Sequence, residues 1–182
     1  MQTGEDIITQ TKSWILKVVV GCNFCPFAAR EMKKGSVHYE VIRSGNKKVG
    51  LEALALEFRR LDDNDSIETS FLIFPETFAD FYSYLDLVEM SEKLLVKMNN
   101  EGIYQIASFH PLYLFAGASP NDAANYTNRS PFPMLQILRE ASITHALNNY
   151  SDPEKIPEQN IKYATEKGLA YMQALRESCL VD

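Results

Sequence analysis

The sequence predicts an α/β protein: a small three- or four-stranded, largely parallel sheet with flanking helices and helical N- and C-termini. Three observations predict it. Two short apolar stretches, residues 37–42 and 69–74, are each followed by a longer segment of helical periodicity. A third, Tyr104 to Phe109, follows the second of those segments, and strand–helix–strand–helix–strand is the pattern of right-handed crossovers on a parallel sheet. The chain has 182 residues, 46% hydrophobic and 23% charged, enough for one domain whose core needs neither disulfide nor structural metal.

The elements follow in order. Residues 1–20 place Ile7, Ile8, Trp14, Ile15, Val18 and Val19 at mostly three- and four-residue spacings, with Thr3 able to cap and Glu5 and Asp6 suiting the positive end of the helix dipole. Gly21 is expected to end this helix in the left-handed conformation. Pro26 then holds Cys25 out of helical geometry and opens a short helix, so that Cys25 sits at a helix N-terminus.

Residues 37–115 form the βαβαβ core. Val37, Tyr39 and Val41 alternate as in a strand, which leaves His38 on the surface in the opposite phase. Leu51, Leu54, Phe58 and Leu61 give residues 48–61 an apolar helical face, and the acidic run after them is a solvated turn. Residues 69–74 are nearly continuously apolar, as in a strand buried on both faces. Residues 78–98 are a long helix and Tyr104 to Phe109 the third strand. Tyr113-Leu114-Phe115 is a fourth, edge strand in this reading. Residues 134–182 are read as C-terminal helices, the last opened by Pro157.

Between these parts lies the polar, aromatic loop of residues 116–133. It is too rich in large rings for a disordered linker, and a loop of this length is usually functional. His110 lies directly beyond the third strand, on the rim where open α/β sheets bind ligands.

Three signatures stand out: Val-Gly-Cys-Asn-Phe-Cys-Pro-Phe-Ala at residues 20–28, Ala-Ser-Phe-His-Pro at 107–111, and Asn-Tyr-Thr-Asn-Arg-Ser-Pro-Phe-Pro at 125–133. Through them the chain resembles, over nearly its whole length, an uncharacterised and mostly bacterial family, domain-of-unknown-function family 1415. The resemblance implies no named activity. In the family pattern the position of Cys22 is usually Leu, whereas Cys25 stands where the family has its cysteine.

Chemistry therefore has to be weighed residue by residue. Cys22 and Cys25 form a C-x-x-C, which a dithiol redox pair or half a zinc site would use. A zinc site lacks further ligands at a recognisable spacing, and the helix preceding the motif departs from the thioredoxin arrangement. Cys25 alone fits a nucleophilic thiol site. In that reading His110 moves the proton, Arg129 grips an anionic group bidentately, and Asn125, Asn128 and Tyr126 complete the binding wall. In the bland reading Cys25 is core, His110 caps a strand end, and Arg129 pairs with Glu140 or Asp122 to pin the loop.

The function expected is a cysteine-dependent enzyme acting on a small anionic metabolite. A non-catalytic module for a carboxylate- or phosphate-bearing ligand, or a protein-interaction domain, is the alternative. The net charge of -6 excludes a general nucleic-acid binder. No apolar run spans a bilayer, and no metal or cofactor is expected. With three cysteines and no secretory signal in the N-terminal residues, a cytoplasmic location is expected.

Overall fold

Four strands form one sheet in the order β1-β2-β4-β3. They are β1 (Val37–Val41), β2 (Thr69–Ile73), β3 (Tyr104–Phe109) and β4 (Met134–Arg139). The computed structural model describes residues 2–148, 150 and 152–180. β1 and β2 are parallel and joined by helix α3 (Lys47–Asp63), as a crossover requires. β4 runs antiparallel to both β2 and β3. The α/β class holds, but the sheet is mixed rather than largely parallel: β2 and β3, joined by helix α4 (Phe81–Lys97), point the same way with β4 inserted between them.

β4 corrects two expectations. Residues 134–148 do not form a helix throughout; the helix α5 (Glu140–Leu147) begins only after Arg139. Apolar residues at 134, 135, 137 and 138 suit a helix and a doubly buried strand equally, and period alone cannot separate them in so short a run. The connection decides. Residues 110–133 contain no α-helix to carry the chain to the far end of the sheet, so the chain turns back beside β3, pairing Phe109 with Met134. Tyr113-Leu114-Phe115 is not an edge strand but part of this loop, Tyr113 packing its ring on Phe81 and Phe115.

The sheet separates two cores. Leu72, Phe74, Leu135 and Ile137 face α3 and α4. Phe71, Ile73 and Met134 face the N-terminal helix and the C-terminal helices α6 (Ile156–Lys167) and α7 (Leu169–Glu177). Leu72, Ile73, Met134, Leu135 and Ile137 are all fully buried, each contributing roughly 1.5–3 kcal/mol. The expected single C-terminal helix is thus two helices, broken at Gly168, whose φ is +81°.

At the N-terminus, helix α1 (Gly4–Trp14) starts at the expected Thr3 cap. Thr3 Oγ1 accepts from the Asp6 N–H at 3.1 Å while the Asp6 carboxylate accepts from the Thr3 N–H at 2.7 Å. It continues as a π-helical turn, Ile15–Val20, instead of stopping in a left-handed residue. Gly21 has φ -62° and donates to Leu16 O, five residues back, at 3.0 Å. Its role is steric: a Cβ there would lie 2.3 Å from the Lys17 carbonyl oxygen. Gly21→Ala is therefore expected to unwind this turn and lower stability by about 1–3 kcal/mol, read as a shifted urea midpoint.

Candidate functional site

The loop residues meet first. His110 is fully buried. Its Nε2–H donates to Phe78 O at 2.8 Å and its Nδ1 accepts from the Leu112 N–H at 3.0 Å, an arrangement that requires the neutral ring. The ring packs against Phe81 and Tyr84 of α4, with centroids 5.1 and 4.9 Å away. Burial pushes its pKa below the usual value, with the Phe78 carbonyl acting partly against this. Phe78 itself is held at φ +58°, a conformation that costs a bulky residue about 1–3 kcal/mol.

Arg129 is engaged with backbone. Its Nε donates to Tyr113 O at 3.0 Å, one terminal nitrogen donates to Pro120 O at 2.9 Å, and its plane lies 4.8 Å over the Tyr126 ring. Among the described residues it makes no ion pair, with Glu140, Asp122 or any other acid. Asn125 is fully buried; its side chain accepts from the Phe115 N–H and donates to Ser119 O. Residues Ala123–Thr127 form a buried 3-10 turn whose Tyr126 joins Ala164 and Met172 in the core. His110, Arg129, Asn125 and Tyr126 thus hold the long loop in one conformation. The loop is ordered and packed because its polar groups satisfy its own backbone.

Cys25 is elsewhere. It lines a cavity of about 410 Å³ on the sheet face opposite α3 and α4, within the roughly 300–1,000 Å³ of small-molecule sites. The floor is Thr69, Phe71, Gln136 and Leu138 of the inner strands with Gln105, Ala107 and Phe109 of β3. Trp14 and Val19 form one wall, Phe24 to Ala28 a second, and Ile143 and Leu147 of α5 a third. Asn128 also faces it, held by a donated bond to Ser108 O at 3.2 Å. The cavity therefore brings Cys25 and Asn128 together and leaves His110 and Arg129 out. His110 does not line it, and both of its ring nitrogens are engaged on the other side of the sheet.

The cavity's chemistry is apolar with scattered amides. Gln136 donates to Thr69 Oγ1 at 3.0 Å and Asn160 to Phe24 O at 2.8 Å, which fixes both amides in the wall. No Lys, Arg or His is among the described lining residues; Glu31, the one acid, accepts from Ser36 and is flanked by Arg30 and Lys34. Burial raises the Cys25 pKa, and the backbone N–H groups of Phe27 and Ala28 facing its sulfur offset this only in part. All three cysteines are free, and Cys22 and Cys179 are buried.

Sequence reasoning missed Trp14, Gln105 and Gln136 as cavity residues. Once β4 is recognised as a strand, alternation puts Gln136 on one face with Met134 and Leu138. His38 is not simply a surface residue: with Glu40 and Glu57 it forms, among the described residues, the one cluster of three side chains able to ligate a metal.

Fold and site together define a class: a mixed α/β protein with an apolar, amide-studded cavity over one sheet face and a cysteine in its wall. A family model described as "Protein of unknown function (DUF1415)" matches residues 6–174, and the chain belongs to this family. No curated protein and no solved structure matches the chain significantly. Among the described residues no helix is long and apolar enough to cross a membrane.

Proposed function

We propose that this protein binds a small, largely apolar and uncharged molecule in the cavity between the sheet and the N-terminal helix. The observation that carries the reading is the lining: aromatic and aliphatic walls, amides from Gln105, Gln136, Asn128 and Asn160, and no basic side chain among the described lining residues. A carboxylate or phosphate placed there would lose its hydration without a cation to replace it. The Arg129 guanidinium, which sequence alone marks as an anion clamp, is already bonded to two carbonyls. Three free thiols support placing the protein in a reducing, cytoplasmic compartment.

A second reading keeps Cys25 as a nucleophile within the same cavity. The Phe27 and Ala28 N–H groups facing its sulfur favour it. Burial, the larger influence on the thiol, opposes it, and no His supplies a base. A substrate itself would have to supply the proton acceptor.

Trp14 is the single tryptophan and lines the cavity, so its emission reports occupancy. Titrating the full chain with paired neutral and anionic probes of equal size, a benzamide against a benzoate for example, should change Trp14 emission for the neutral member at least about tenfold more tightly. Preference for the anion would sink the reading. Turnover of a bound neutral probe lost in Cys25→Ser would favour the second reading.

A further inference from the structure

We infer that His38, Glu40 and Glu57 form a binding site for one divalent transition-metal ion, on the sheet face opposite the cavity. His38 and Glu40 alternate on β1, so both side chains project toward α3, which carries Glu57. One ligand atom from each lies within 4.8 Å of the other two. His38 Nε2 is 3.5 Å from Glu40 Oε2 and 3.8 Å from Glu57 Oε2. That nitrogen is shielded from water and has no hydrogen-bond partner.

These separations fit a shared ion better than a direct hydrogen bond. A charge-assisted N–H···O bond closes to about 2.7–2.9 Å, well inside those observed. Donors at about 2.0–2.2 Å from a tetrahedral zinc ion stand roughly 3.4 Å apart, close to the observed pair. A water-shielded, unpartnered imidazole nitrogen 3.5 and 3.8 Å from two carboxylate oxygens is thus spaced for a cation that all three share. One nitrogen and two oxygens suit a borderline ion such as Zn²⁺ or Co²⁺.

The surroundings are those of oriented ligands. Glu57 is nearly fully buried, and Ser70 Oγ donates to its Oε2 at 2.5 Å while Arg60 Nε donates to its Oε1 at 2.8 Å. Ser70 pairs with His38 across β1 and β2, so the sheet register itself aims the serine. Such outer contacts orient a ligating carboxylate. Arg60 also lies 3.4 Å from Glu40 Oε2 and balances one of the two negative charges. Glu40 is 39% exposed, which leaves the fourth metal position to water.

The test is calorimetric titration of the full chain with Zn²⁺, beside Co²⁺ absorption spectra that separate oxygen and nitrogen ligands from thiolate. One ion per chain is expected, without thiolate bands. His38→Gln and Glu40→Gln, both at partly exposed positions, should each weaken binding more than about a hundredfold, and Ser70→Ala about 10–100-fold. Cys25→Ser should leave affinity unchanged. No saturable binding, binding that survives His38→Gln, or a cysteine-dependent site overturns the assignment.

Discussion

His110→Ala is expected to destabilise the protein by about 3–5 kcal/mol, while the alkylation rate of Cys25 in the folded fraction stays unchanged. The imidazole fills the space between Phe81 and Tyr84, and its removal leaves a cavity. It also leaves the partly buried Phe78 carbonyl and Leu112 N–H without their partner, which adds to the loss where water does not replace it. The same ring makes stability depend on pH. Its folded pKa is lowered, so its contribution is complete above the ordinary value of 6.5 and is lost as pH falls through the folded value. Wild-type stability should decline below about pH 6.5 by at most about 1.4 kcal/mol per unit. His110→Gln, which keeps a polar side chain without a titrating ring, should flatten that decline. Urea titrations at several pH values, with iodoacetamide labelling of each variant, measure both. A stable His110→Ala protein whose Cys25 reacts more slowly would restore His110 to the thiol's chemistry.

Ala107→Phe is expected to abolish the Trp14-reported binding of neutral probes, weakening it by more than about a hundredfold, with little loss of stability. Ala107 lies on the edge strand β3 with its methyl toward the cavity, where a ring has space and β propensity favours it. A buried aromatic adds favourable area where the cavity now loses contacts, so the melting temperature should hold or rise. The same ring would cover the approach to Cys25 from the floor, so labelling by neutral maleimides should slow in parallel. Unchanged probe affinity in a folded Ala107→Phe protein would place binding outside the cavity and sink the proposed function.

Much of the local structure was legible in the chain. The Thr3 cap, the alternation of Val37, Tyr39 and Val41, the doubly apolar β2 and the long amphipathic α4 each carry their signal within a few neighbouring residues. The long loop's aromatic content likewise marked it as ordered, and it is. The strand at residues 134–139 was not legible, because four apolar residues in six satisfy helix and strand alike. The connection, which has no α-helix and turns the chain back beside β3 into the slot between β2 and β3, selects the strand.

The functional residues divide along the same line. By itself the sequence determined the family, the α/β class, and which unusual residues the chain carries: Cys25, His110, Arg129 and the asparagines around it. Tertiary structure alone decided which of them meet. The sheet puts His110 against α4 and Cys25 over the opposite face, so the two side chains that sequence alone joins in one thiol site lie on different sides of the sheet. Arg129 folds back on the carbonyls of its own loop, which a charge count cannot foresee. His38 and Glu57, nineteen positions apart in the chain, come together because β1 and α3 pack face to face. Backbone preference is a property of neighbours in the chain, whereas a site is made by residues brought close only when the cores close around them.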